Sequence, residues 1–335
     1  MNYSLDKHPS VSVIVPLYNK GPFVERAIRS VLNQTINEFE IIVVEGGSSD
    51  NSLEVVQAFT DPRLSIIQQV EKGVSAARNE GVQIAKSDFL AFLDADDEWM
   101  PDFLETVLRL RHAYPEAGVY FTAIMEKCLD NSEEYQNYSF MPGKGWEGVI
   151  ENYFGALLCN DPLYYPSSMA LNKKIYQEYG GFPKGSSWGE DQDLCGRIAL
   201  QNQVVFSSKV CSIIHKTDEY SRAMKRRVLS TGEHPFIKSA LIAQKNGNIP
   251  KKFAQDLNNW TIGLILFSVR YNLIVGNPAC ANTILKKYSD LIPFRKKALI
   301  GVWCKMPVWT FNIKGHSLFM EFGKIKIFLK RLYKS

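Results

Sequence analysis

The 335-residue sequence has no apolar run of the ~18–20 residues that a bilayer-spanning helix needs. Its longest apolar stretch, WTIGLILFSV at 260–269, is closed at once by Arg270 and predicts a buried helix instead. The opening MNYSLDKHPS lacks the apolar h-region of a secretory signal, so a cytoplasmic location is expected. Six cysteines (128, 159, 195, 211, 280 and 304) are scattered, with no C-x-x-C pair and no Cys/His cluster at zinc spacing. Reduced core thiols are the expectation rather than a disulfide scaffold or a zinc module. No G-x-G-x-x-G follows the first strand-like run, which argues against a nicotinamide-dinucleotide enzyme. No internal repeat, low-complexity tract or nucleic-acid recognition motif is present, so no nucleic-acid partner is expected.

What is present is an ordinary globular composition, 45% hydrophobic and 22% charged. The net charge of +4 is unevenly spread. From Lys286 to Ser335 twelve Lys/Arg face two Asp/Glu, and the rest of the chain is net acidic. The final segment, SLFMEFGKIKIFLKRLYK (317–334), interleaves bulky apolar and basic residues. Two readings fit: helices packed on the body of the protein with lysines in water, or a peripheral anchor on an anionic inner leaflet.

The first hundred residues alternate strand and helix patterns. Strands are predicted at VSVIVP (11–16), FEIIVVE (39–45), RLSIIQQV (63–70), FLAFLD (89–94) and GVYFTAIM (118–125). Between them, Val24, Ala27, Ile28, Val31 and Leu32 keep helical spacing, as do Leu53, Val56 and Phe59, and VSAARNEGVQIA (74–85). Ser49 or Asp50 is the expected cap of the second helix, and Pro101 suits the first turn of the fourth. The β-α-β-α order predicts an α/β fold with a mostly parallel central sheet and helices on both faces. Ligands of such sheets bind beyond the carboxyl ends of the strands. PLYN, EGGSSD and DADD all fall at such ends. From 231 onward the segments predict helices, interrupted at Pro250, Pro278, Pro293 and Pro307.

Asp94, Asp96 and Asp97 crowd three carboxylates into four residues after an apolar strand. A divalent cation relieves such crowding, because Mg²⁺ and Mn²⁺ take oxygen ligands from a carboxylate or two and from substrate phosphates. Asp97 is expected to cap the next helix. In WGEDQDL, the acids Glu190, Asp191 and Asp193 either complement a helix dipole or place a general base at a cleft edge. His215, after another apolar run, is either structural or a metal or diphosphate contact. Arg78 is either a solvated charge or an anion partner.

These segments resemble the family 2 glycosyltransferases of the GT-A fold over roughly residues 10–222. VSVIVPLYNKGPFVERAIRSVLNQT is similar to that family's opening strand and helix, and IIVVEGGSSDNS to its second-strand turn. GVSAARNEGVQIAKSDFLAFLDADDEW resembles its A-R-N-x-G helix and D-x-D strand, and GGFPKGSSWGEDQDLCGRI its later acidic segment. The resemblance implies an inverting transfer of a sugar from a nucleotide-diphosphate donor, a UDP-sugar first among them. The acceptor implied is a hydroxyl of a glycan or lipid-linked molecule, as in bacterial polysaccharide assembly. It implies Asp191 as general base; Pro16, Tyr18, Glu45, Arg78, Asp94 and Asp96 as donor-binding residues; and Mn²⁺ or Mg²⁺ on Asp96 and His215, with His215 and Ser221 near the diphosphate. Trp188 and Glu190 fall on the acceptor side. Residues 1–230 would form the catalytic domain and 231–335 a helical, basic C-terminal region.

One position departs from the pattern. The family often carries two aspartates where this chain has Glu45-Gly46, and the second commonly binds the base, often uracil. Gly46 has no side chain for that task, so Glu45 or the backbone would take it. A nucleotide-sugar-binding protein without turnover is the alternative reading that this departure supports.

Overall fold

The β-branched opening run forms the first strand, β1 (Val11–Leu17), buried along almost its whole length. The structure, a computed structural model, describes residues 9–143, 145–159, 161, 163–186, 188–216, 232–247 and 249–293. After β1 come α1 (Gly21–Leu32), β2 (Phe39–Glu45), α2 (Ser52–Gln57), β3 (Leu64–Gln68) and α3 (Val74–Ile84). The D-x-D segment follows β4 (Phe89–Phe92) and leads through β5 (Glu98–Trp99) to α4 (Phe103–Ala113). Next are β6 (Ala117–Lys127), β7 (Glu133–Tyr135), β8 (Glu147–Val149) and α5 (Tyr153–Leu158). The second half continues with β9 (Met169–Asn172), α6 (Lys173–Glu178), α7 (Glu190–Ala199) and β10 (Gln203–His215). Helices α8 (Pro235–Lys245), α9 (Ala254–Ile274) and α10 (Pro278–Lys287) follow.

Among the described residues the strands form one sheet in the order β3-β2-β1-β4-β9-β6-β10-β5, with β7 on β6 and β8 on β10. β1 to β4 are parallel, and so are β6 and β10. β9 runs antiparallel between β4 and β6, so the sheet is mixed, not all parallel. Residues 164–171 show no alternation that would announce β9; its direction is set by the short turn Pro166–Ser168 that feeds it. The chain order reverses between β1 and β4, the point where open sheets leave a crevice for a ligand.

Period-two alternation splits the apolar residues between two faces. Val11, Val13, Val15, Ile41, Val43 and Phe89 pack with α1 and α4 on one side. Ile14, Ile42, Val44, Leu90 and Phe92 join a core on the other that takes in residues from α3, α5, α7 and α8–α10. Each such side chain contributes about 1.5–3 kcal/mol by leaving water. The helices after residue 235 therefore share this second core through Phe236, Leu257, Ile265 and Ile284. WTIGLILFSV lies inside α9, and no helix among the described residues is long and apolar enough to cross a membrane. Ser221, Trp303, Trp309 and the basic 317–334 segment lie outside the described residues.

Helix α3 approaches the sheet closely at Gly81. A Cβ there would stand 2.6 Å from Ile14 Cγ2 and 3.1 Å from Val44 Cγ2. Gly81→Ala gains about 1 kcal/mol of helix propensity but overpacks by about 1–3 kcal/mol. We expect a net loss, read as a lower urea midpoint with an unchanged m-value; a raised midpoint would show that the contact yields.

Two expected caps differ in the structure. Asn51 precedes α2 and Asp102 precedes α4, neither with a side-chain cap. Asp50 instead clamps two helix starts, accepting from Gly21 N through one oxygen and from Ser52 N and Oγ through the other. Asp97 is no helix cap either. It is buried, accepting from Ser167 Oγ at 2.5 Å and from His215 N at 3.2 Å. Burial, with Asp96 and Asp94 close by, holds its carboxyl well above the usual range.

Candidate functional site at the carboxyl edge of the sheet

The carboxyl ends of β1, β2 and β4 bring the predicted donor-side residues together. Pro16 lies within β1, half-buried, and Tyr18 just beyond it is 60% exposed. Asn19 follows with φ of 51° and accepts from Ser49 N.

Arg78, from α3, joins two distant parts of the chain. It is buried, donating to Asp94 at 2.6 Å and to Glu190 at 3.1 Å, with its guanidinium over the Phe182 ring. Burial works against its charge, but Asp94 and Glu190 outweigh it and raise its pKa. Glu190 is itself buried and paired with Arg78; it does not lie on an open acceptor-side surface.

Asp191, next in α7, is half-buried. One carboxylate oxygen accepts from Gln192 N at 2.7 Å, and no hydrogen bond reaches the other among the described residues. Burial and then the charge of Glu190 push its pKa up to about 7, with the Gln192 amide and Arg78 pulling the other way. A base tuned near neutrality suits proton abstraction from a hydroxyl.

The second aspartate of D-x-D has a cation of its own. Lys20 Nζ lies 2.6 Å from Asp96 Oδ2, and Arg26 donates to the Asp96 carbonyl. No cluster of three His, Cys, Asp or Glu that would hold a metal occurs among the described residues. The donor set still fits a hard cation of the Mg²⁺ type, which needs only a carboxylate or two and completes its shell with diphosphate and water. Asp94 and Asp96 each have one carboxylate oxygen beyond those paired with Arg78 and Lys20. His215 turns elsewhere: its Nε2 lies 3.1 Å from Glu98. Burial, then the charge of Arg26, lowers its pKa, with Glu98 opposing.

The loop before Asp191 is braced from behind. Trp188, half-buried, packs on His234, Phe267 and Tyr271, which ties its ring to α9. Gly189 adopts φ of 69°, and a Cβ there would fall 2.3 Å from His234 Nε2. His234 caps α8 through its Nδ1, and burial lowers its pKa to about 3, so it packs as a neutral ring.

Glu45 is buried, and its carboxylate accepts from Gly47 N and Ser48 N, closing its own turn. Burial alone would raise its pKa; these bonds, with Gln68, lower it instead.

Lys20, Ser167 and His234 were not anticipated. Ser167 Oγ accepts from Asp94 N and donates to Asp97, while its carbonyl accepts from Trp99 Nε1 and Ser212 Oγ. It ties the D-x-D loop to β10 from a turn with no sequence signature. Lys20 had one faint signal, its place directly after PLYN at a strand end.

Comparison with known proteins supplies the context for this edge. The profile described as "Glycosyl transferase family 2" matches residues 12–180, half of the chain. The uncharacterized glycosyltransferase YibD of Escherichia coli is 38% identical over 142 residues, 42% of this chain and 38% of its own length. The chain thus spans well under half of that relative. Among solved structures, residues 1–349 of S. aureus TarS with UDP-GlcNAc superpose with a TM-score of 0.65 at 21% identity, covering 86% of this chain and 83% of that one. The Pyrobaculum calidifontis mannosyltransferase PcManGT, with GDP-Man and Mn²⁺, gives 0.55 at 20% identity, covering 98% and 88%. These structures share the α/β architecture.

Proposed function

Because the chain belongs to glycosyl transferase family 2, we propose that it transfers a sugar, with inversion, from a nucleotide-diphosphate donor to a hydroxyl of a glycan or lipid-linked acceptor. The observation that carries this reading is the Arg78 bridge. It joins Asp94 of D-x-D to Glu190, the neighbour of Asp191, and so sets a leaving-group side and a base side about one crevice.

Asp191 takes the proton of the acceptor hydroxyl. The acceptor oxygen bonds the anomeric carbon from one face as the bond to the donor diphosphate breaks on the other. The proton stays on Asp191, and the electron pair leaves with the diphosphate. Lys20 and Arg78 supply positive charge on the side where that charge develops. Asp96, with Asp94 beside it, would hold Mn²⁺ or Mg²⁺, which supplies Lewis-acid neutralisation of the diphosphate when bound. PcManGT, whose structure contains Mn²⁺, supports that assignment. TarS, bound to UDP-GlcNAc, supports a UDP-sugar as donor.

The test is a panel of sugar nucleotides with Mn²⁺ or Mg²⁺, read by donor hydrolysis and by thermal shift. At least one donor should be cleaved and should raise the melting temperature. A chain that binds none of them is not a transferase of this class.

Lys20 and a metal compete for the charge of Asp96. Lys20→Met should tighten Mn²⁺ binding without nucleotide by about fivefold, the equivalent of a partly exposed ion pair worth about 1 kcal/mol. Titration of free Mn²⁺ by electron paramagnetic resonance measures this. Equal affinities in the two proteins would remove Lys20 from the metal site.

A further inference from the structure

Gly46 leaves a gap at the end of β2, and the side chain of Gln69, just beyond β3, fills it. A Cβ on Gly46 would lie 2.7 Å from Gln69 Oε1, 3.3 Å from the Leu17 carbonyl and 3.4 Å from Tyr18 Cβ. The Gln69 carboxamide and the Cβ of the exposed Tyr18 therefore both border the Gly46 gap, at the carboxyl ends of β1 and β2. Its orientation is fixed. Nε2 donates to the carbonyls of Glu71 and Gly73, the latter at 2.7 Å, which uses both of its hydrogens. A flipped amide would set Oε1 against two carbonyl oxygens. Oε1 is thus committed as an acceptor, and no hydrogen bond reaches it among the described residues.

The line of the donor across the sheet follows from the charges. Asp191, the proposed base on α7, marks the acceptor end. Lys20, Arg78, Asp94 and Asp96 mark the diphosphate between β1 and β4. The nucleoside then extends away from α7, over the ends of β1, β2 and β3. That end presents the exposed Tyr18 and, in the Gly46 gap, the fixed Gln69 acceptor, whereas Glu45 is consumed by its own turn.

We infer that Gln69 Oε1 is the base-selecting group of this site, accepting from the ring N–H of a lactam base: N3–H of uracil or N1–H of guanine. Cytosine and adenine place a bare ring nitrogen at that edge, an acceptor facing an acceptor. The inference rests on the proposed function, since it needs a nucleoside diphosphate in the crevice.

The experiment is calorimetric titration of UDP, GDP, CDP and ADP, each with Mn²⁺, into the full chain and two variants. The parent should prefer UDP or GDP over CDP and ADP by about tenfold, the scale of one hydrogen bond plus a lone-pair clash. The UDP and GDP arms separate the two lactam bases. Gln69→Leu should shrink that preference to within about twofold. Gly46→Ala, which leaves Gln69 in the chain but expels its amide from the gap, should shrink it likewise. A preference that survives both variants, or a parent that prefers CDP or ADP, overturns the inference while leaving the transferase reading intact. A parent that binds none of the four overturns both.

Discussion

Asp191→Asn lowers kcat by about 10²–10⁴-fold and leaves nucleoside-diphosphate affinity within about twofold: that is the expected result if Asp191 is the base. The amide cannot accept the acceptor proton, yet it keeps the shape of the side chain beside Gln192. In the parent, kcat/KM should rise about tenfold per pH unit and level off above the Asp191 pKa of about 7. Stability runs the other way. The Asp191 carboxyl is raised from 3.8 to about 7, chiefly by burial and the Glu190 charge, so the folded chain holds a proton that the unfolded chain releases in that window. This group's contribution to stability falls as pH climbs through the window and is lowest above it. The asparagine variant should therefore melt higher than the parent at pH 8 while being nearly inactive. A variant with impaired nucleotide binding and no gain in melting temperature would reassign Asp191 to the donor site.

The second large effect is on folding. Arg78→Met removes a buried cation from between two carboxylates. Glu190, with a side chain only 8% exposed, is left without its partner; Asp94, at 31%, is partly relieved by water. Removing one member of a buried pair costs about 3–5 kcal/mol, and the partial exposure of Asp94 places this case near 3. Urea unfolding followed by fluorescence measures it. Arg78→Met with Glu190→Gln should recover much of the loss, because the stranded charge goes with its partner. Arg78→Lys should fall between, since an ammonium lacks the planar fork that reaches two carboxylates. If the double variant is no more stable than the single one, the loss comes from packing on Phe182 rather than from charge.

Much of this edge was legible in the residues. Apolar runs closed by PLYN, EGGSSD and DADD are local patterns, and the rule that ligands sit beyond strand ends turns them into one site. What escaped was pairing over long separations. Nothing around Arg78 announces that it will meet Glu190, 112 residues away. Local pattern presents it as an anion-binding arginine; the fold makes it the link between the D-x-D loop and α7. Asp97 went astray for a related reason: acids after a strand so often begin helices that its burial against Ser167 and β10 had no local signal. β9 is four residues of Met-Ala-Leu-Asn without alternation, and only its neighbours in the sheet reveal its direction. The resemblance puts Trp188 on the acceptor side, and nothing local to it signals that its ring packs on a helix some eighty residues later in the chain.

That last contact bears on how such proteins diversify. The family match ends at residue 180, before the strip of chain that carries Asp191, and the ring just ahead of Asp191 rests on Phe267 and Tyr271. The segment matched by the family and the strip that carries Asp191 are therefore separable in sequence but packed on one core in the fold. A chimera that grafts the first 180 residues of one relative onto the remainder of another would take the proposed base, and the ring packing behind it, from the second parent. With Asp191 as the proposed base, substitutions at Phe267 or Tyr271 of α9 would reach the acceptor side through the Trp188 ring without touching either substrate.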